Sequence, residues 1–281
     1  MSRVDSSSIA FPDFKGATRW LVLVNLASFF GFLLVSLAFP APALHLMGRL
    51  TFFPAAFLHG SLWQPFTYSF IHPPDQVVAA LFELISLWFL VGYLESIHGT
   101  NWVANLYAVS VLSTTVAGLA IYACSGTFGY MILPIPLFGC MGGIFGLVVA
   151  IGVLYGDVQF TLFPLPISIK ARYVALIYVL VALALLYGEE RMTAFANLGG
   201  ALAGVLWSRM APRRGISFRF GFAFSESLYG LRNRYYRWKR RRAARKFEVY
   251  MRRQGRGVRI NGYGRPIDKD SDDPDDKKHW N

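Results

Sequence analysis

Four glycines in nine residues, Phe138-Gly-Cys-Met-Gly-Gly-Ile-Phe-Gly146, open a long apolar run. A glycine-rich turn into a helix is a place where a nucleophile is often presented, with a serine between two glycines. Here Met141 stands between Cys140 and Gly142. A thioether has no proton to lose and forms no useful acyl intermediate. Cys140 carries a thiol, but an unperturbed thiol titrates at about 8.5 and needs a base beside it. Histidines occur at His45, His59, His72, His98 and His279. A second candidate nucleophile, Ser125 in Ala123-Cys-Ser-Gly126, is expected to be a loop residue, because Pro134 and Pro136 follow. An acid pair of Glu83 and Asp75 has no supporting spacing. Two cysteines, Cys124 and Cys140, are too few and too oddly placed for a disulfide framework or a zinc site. No metal and no cofactor is expected.

These residues sit in an unusually apolar chain. Of 281 residues, 54% are hydrophobic and 16% charged, and the mean hydropathy is +0.40. That balance points to an integral membrane protein and away from a soluble domain. A spanning helix needs about 20 mostly apolar residues. Six candidates fit: Trp20–Phe39, Val77–Leu94, Trp102–Ala123, Met141–Tyr155, Ala171–Tyr187 and Thr193–Met210. The segment Pro40–Gln76 is aromatic but broken by Pro54, Gly60 and Pro65, so it is expected to form short helices half-buried at the outer interface. The organisation expected is an N-terminal segment 1–18, a membrane domain 19–211 and a tail 212–281.

Basic residues set the orientation. Arg3, Lys15 and Arg19 precede the first span, and Lys170 and Arg172 precede the fifth. Fifteen Lys and Arg face two acids between Pro212 and Arg256, while the loop between the third and fourth spans has no Lys or Arg. With six spans, this asymmetry puts both termini in the cytoplasm. The N-terminus does not read as a cleaved signal peptide. Ser225–Gln254 reads as a basic aromatic helix, expected to lie on anionic lipid headgroups. A single-strand nucleic-acid surface is the competing reading, and no nucleic-acid partner is expected. Gly255–Asn281, acidic from Asp268 to Asp276, is expected to be disordered.

Four motifs in order carry a family resemblance over about residues 63–210. They are Trp63-Gln-Pro-Phe-Thr-Tyr-Ser-Phe-Ile-His72; Leu87-Trp-Phe with Leu94-Glu95 and Gly99; Gly142-Gly-Ile-Phe-Gly-Leu147 with Tyr155-Gly-Asp157; and Ala196-Asn-Leu-Gly-Gly-Ala-Leu-Ala-Gly204. The sequence resembles the rhomboid family of intramembrane serine proteases. The resemblance implies an all-α integral membrane protein, a rhomboid-like bundle of six transmembrane helices. It places Met141 at the family's catalytic serine and Asn197 at its histidine. Ala79 and Glu83 fall at its oxyanion-binding histidine and asparagine. All four positions depart from the family's pattern. A neutral amide is no base, and a carboxylate at Glu83 opposes an oxyanion. Loss of nucleophile or base alone costs about a millionfold in turnover. On the same placement Cys140, one residue off the serine position, points elsewhere.

The resemblance therefore implies a pseudoprotease that binds transmembrane segments of client proteins, in a bacterial inner membrane with both termini cytoplasmic. Its partners are the bilayer, the clients and, at the tail, anionic lipid. Client contacts are expected at Glu83, Met141, Asn197 and Cys140. The competing reading is an active rhomboid-type endopeptidase with a rewired site. A transporter using Glu83 as a proton site would want more intramembrane polar residues. Glu83 itself, inside an apolar run, is expected to pair with Asn197 or Ser86 or to meet a polar client group. Glu95 is expected to order the second loop at the cytoplasmic face. The glycines of the fourth and sixth spans form small-xxx-small steps that let two helices cross closely in lipid.

Overall fold

Proline and glycine mark the helix ends in the computed structural model, which describes residues 12–127, 135–162 and 167–210. It also describes residues 235–240, 242–243, 250, 259–260 and 266–267. α1 (Gly16–Ala38) stops short of Pro40, and that proline opens α2 (Pro40–Leu50) where its missing N–H costs nothing. Pro54 opens α3 (Pro54–Leu58) in the same way, and α4 (Gln64–Thr67) runs into a 3-10 turn, Tyr68–Phe70. α5 (Val77–His98) ends at Gly99, whose φ of +82° suits glycine alone. α6 (Thr100–Thr127), α7 (Met141–Leu154), α8 (Ala171–Leu185) and α9 (Arg191–Met210) complete the bundle.

The helical membrane fold expected from the sequence is borne out. α1, α5 and α6 are long and apolar enough to cross a membrane, while α7 and α8 are shorter apolar helices. α7 rises only about 21 Å, against a hydrocarbon core of about 30 Å. It can be short because it meets little lipid: every residue from Gly142 to Ile151 is buried, among α5, α6, α8 and α9. Its extended lead-in is paired as a buried backbone must be. Phe52 and Leu137 exchange both N–H···O bonds, at 3.0 and 2.8 Å. That contact ties the stretch between α2 and α3 to the approach to α7.

Glycine lets α7 and α9 cross almost backbone to backbone. A Cβ on Gly200 would overlap the carbonyl oxygen of Gly142, and one on Gly204 that of Gly146. Thr114 and Ser110 of α6 press on the same two glycines, Gly142 and Gly146. Their hydroxyls are satisfied within α6, donating to the carbonyls of Ser110 and Leu106. The close crossing of the fourth and sixth apolar helices is thus present as expected.

Polar contacts fix the ends of the bundle. Glu95, near the end of α5, accepts the N–H groups of Ala17 and Thr18 and the hydroxyls of Thr18 and Thr100. It caps the first turn of α1 as well as ordering its own loop. At the same end His98 stacks on Trp102 at 3.9 Å and meets the Tyr155 hydroxyl at 2.9 Å. Arg172 and Lys170 pair with Asp157. In the Pro40–Gln76 segment, which folds into short helices as expected, Trp63 and Gln64 donate to the Arg49 carbonyl and Thr67 to that of Leu50. The Trp63–Thr67 motif therefore closes the C-terminus of α2.

Three local expectations are corrected. α6 runs on to Thr127, so Ser125 lies in its last turn and not in a loop; the prolines that were expected to end the helix come later. An antiparallel pair, β1 (Gln159–Leu162) and β2 (Ile167–Lys170), follows α7 where no strand was foreseen. In the tail, β3 (Arg259–Ile260) pairs with β4 (Pro266–Ile267) inside the stretch read as disordered. The chain divides into two units, Met1–Gly221 and Phe222–Asn281. In the second, residues 235–240 are helical as expected, and Arg242 lies 5.3 Å from the Trp238 ring. Residues 242–243 and 250 are helical too; the rest of the expected Ser225–Gln254 helix, and the N-terminal segment before residue 12, lie outside the described residues.

Candidate functional site

The buried face of α5 runs through Ala80, Leu84, Leu87, Val91 and Leu94, at helical spacing. Glu83 stands beside that stripe, turned toward the start of α7. Its Oε2 accepts the Cys140 N–H at 2.8 Å and the Cys140 thiol at 3.3 Å. The same oxygen lies 3.3 Å from His72 Nε2. Cys140 is fully buried and His72 is 2% exposed, whereas the Glu83 side chain keeps 16% of its surface open.

Local backbone geometry makes this approach possible. The 3-10 turn ends at Ile71, and the carbonyls of Tyr68 and Ile71 both accept the Gly139 N–H, at 3.1 and 2.8 Å. Gly139 has φ +81°, a conformation that favours glycine. A Cβ there would also come within 2.7 Å of Glu83 Oε2. Cys140 then takes the N-cap position of α7, so its N–H points at the carboxylate. An anion at a helix N-terminus is favoured by the unpaired N–H groups and the macrodipole. The turn is anchored by Tyr68, whose hydroxyl donates to the Val111 carbonyl at 2.9 Å. Burial raises the titration of that hydroxyl well above its ordinary range and keeps it a donor.

The residues singled out in the sequence do not all meet. Glu83 and Cys140 do, and the expectation that Cys140 points elsewhere is corrected: the positive φ of Gly139 swings it onto α5. His72 joins them. Its place at the end of the Trp63–His72 motif, five residues before α5, was the available signal. Met141 is the first residue of α7 and half-buried, and Asn197 is half-buried on α9. Neither Asn197 nor Ser86 hydrogen-bonds Glu83 among the described residues. Ala79 is exposed, one turn before Glu83 on α5.

The arrangement is a poor nucleophile site. The Cys140 thiol spends its proton on a carboxylate, and ionising it would set two like charges 3.3 Å apart. His72 faces Glu83 at 3.3 Å, and the group that receives the thiol hydrogen is the Glu83 carboxylate itself. As ligands the groups are better matched: His72, Glu83 and Cys140 each offer one metal-binding atom, all within 4.8 Å of one another.

Residues 22–211 match the profile of a family described as eukaryotic integral membrane protein (DUF1751). No curated protein matches the chain. The matching profile is not that of the rhomboid proteases, so the rhomboid resemblance, and with it the pseudoprotease assignment, is corrected. The physical reason is visible in the fold. The shared glycines and aromatics serve helix crossing and loop anchoring, which other helical membrane proteins need equally. The expected bacterial inner membrane is likewise overturned by a family described as eukaryotic. The match covers more than half of the chain, from α1 to the end of α9, and the chain belongs to the eukaryotic integral membrane protein family DUF1751.

Proposed function

We propose that this protein is a non-hydrolytic membrane protein that binds transmembrane segments of client proteins along α5. The observation that carries the reading is Glu83: a carboxylate inside an apolar helix, 16% open, with exposed Ala79 one turn away on the same side of α5 and exposed Phe82 next to it in the chain. Intramembrane ionisable groups are costly and mark interaction or transport sites. A client helix would cover the apolar side chains and offer a polar group to the carboxylate. The carboxylate-bound thiol of Cys140 supports binding without hydrolysis. Both termini lie in the cytoplasm, as the Lys and Arg asymmetry favours, and the basic aromatic tail rests on anionic headgroups.

The test is site-specific photocrosslinking from Phe82 in vesicles. Two single-span reporters are reconstituted with the protein, one with an asparagine at mid-span and one all-leucine. The polar reporter should crosslink more strongly, and Glu83→Gln should remove the difference. Crosslinks to lipid alone, or equal capture of the two reporters by the native protein, would overturn the reading.

A further inference from the structure

Three metal-ligating side chains from separate segments converge where residues 137–140 enter the bundle. We propose that His72, Glu83 and Cys140 form a binding site for a borderline-soft divalent cation, Zn2+ foremost. The geometry is close to what such an ion needs. Tetrahedral bonds to N, O and S separate ligand atoms by about 3.3–3.7 Å. Glu83 Oε2 is already 3.3 Å from both His72 Nε2 and Cys140 Sγ. The remaining pair lies within 4.8 Å, so a small side-chain movement completes the face.

Ligand type selects the ion. Imidazole with thiolate suits zinc and related metals, whereas Mg2+ and Ca2+ want oxygen. Charge supplies the driving force. On binding, the Cys140 thiol gives up its proton to solvent, leaving thiolate, carboxylate and a neutral imidazole around a doubly charged cation. The assembly is neutral, which removes the cost of a lone carboxylate in an apolar helix. The cation takes the place of the thiol proton and the imidazole contact that otherwise face Glu83.

The site is held and it is open. The Cys140 N–H donates to Glu83 Oε2 at 2.8 Å, and the Gly139 N–H is fixed by two carbonyls. His72 and Cys140 close the inner side, and the exposed part of Glu83 gives a way in. Three protein ligands leave a fourth coordination position that can take water. His72 Nδ1 is buried without a hydrogen-bond partner among the described residues, so the ring has a nitrogen to spare whichever way it is turned. The inference goes beyond client binding and does not depend on it.

The experiment uses the full-length chain in detergent, stripped with a chelator. Zn2+ titration against a competing indicator should show one ion per chain. Co2+ should give a thiolate-to-cobalt charge-transfer band in the near ultraviolet. Cys140→Ser should abolish the band and Cys124→Ser should keep it. His72→Ala and Glu83→Gln should each weaken Zn2+ binding at least ~10-fold, with unchanged size-exclusion profiles. Absence of the band in the native chain overturns the site, whatever the variants do. So does a band that survives Cys140→Ser. Failure of the reporter crosslinks leaves all of these readouts in place, so the two ideas fail separately.

Discussion

The Glu95 carboxylate accepts the Thr18 N–H at 2.9 Å and the Thr18 hydroxyl at 2.6 Å, so the end of α5 caps the start of α1. Hydrogen bonds to a charged group are worth about 1.5–3 kcal/mol each, and a helix cap about 1 kcal/mol. Glu95→Ala should lower stability in detergent by about 3 kcal/mol or more, and Thr18→Ala by about 1 kcal/mol. Thermal unfolding read by circular dichroism checks the pair. Equal melting of Glu95→Ala and the native chain would show that the cap carries nothing.

Two glycine substitutions should move in opposite directions. Gly139→Ala forces a side chain into φ +81° and against Glu83, costing about 1–2 kcal/mol for the backbone alone and more for the contact. Gly48, inside α2, has nothing within 4 Å of an added Cβ. Gly48→Ala should therefore stabilise by about 0.5–1 kcal/mol through helix propensity. Melting temperatures of both variants, measured side by side, test the contrast.

Glu83 can be probed by shape without charge. In metal-free buffer, Glu83→Gln retains an oxygen for the Cys140 N–H and should melt within about 1 kcal/mol of the native chain. Glu83→Leu removes every acceptor there and should cost about 1–3 kcal/mol, because the Cys140 N–H is left buried and unpaired. Indistinguishable melts for the two variants would mean that the hydrogen bond to α7 is not made in detergent.

Single cysteines placed at residue 13 and at residue 213, in a chain with Cys124 and Cys140 replaced by serine, should react with an impermeant maleimide from the same side of the membrane. A cysteine at residue 61, between α3 and α4, should react from the opposite side. The expectation rests on six crossings and on the distribution of Lys and Arg. Labelling of residues 13 and 213 from opposite sides would require an odd number of crossings.

Much of the bundle is legible in the sequence, because helical membrane segments are specified locally by length, apolarity and proline. The Gly142/Gly146 and Gly200/Gly204 crossing is readable for the same reason, since its signal is a spacing within one helix. The site is less legible. Glu83 stands out as a carboxylate in an apolar run, but His72 and Cys140 are 11 and 57 residues away, and no periodicity joins them. Their meeting depends on the positive φ of Gly139 and on the two carbonyls that fix it. Reading Cys140 by a single-residue offset from a serine position failed because that turn, not helix register, aims the side chain. β1 and β2 were missed as a short hairpin among apolar residues next to a span.

The burial of α7 also bears on how the protein is made. Its glycines Gly142 and Gly146 are covered jointly by α6, synthesised before it, and by α9, synthesised after it. A nascent chain that has delivered α7 still shows the bare backbone at Gly142 and Gly146 to the bilayer until α9 arrives. Truncation before α9, or a slow final insertion, leaves an incomplete intermediate whose central helix is short and half-clad, which is the form a cell's membrane quality control should recognise and remove.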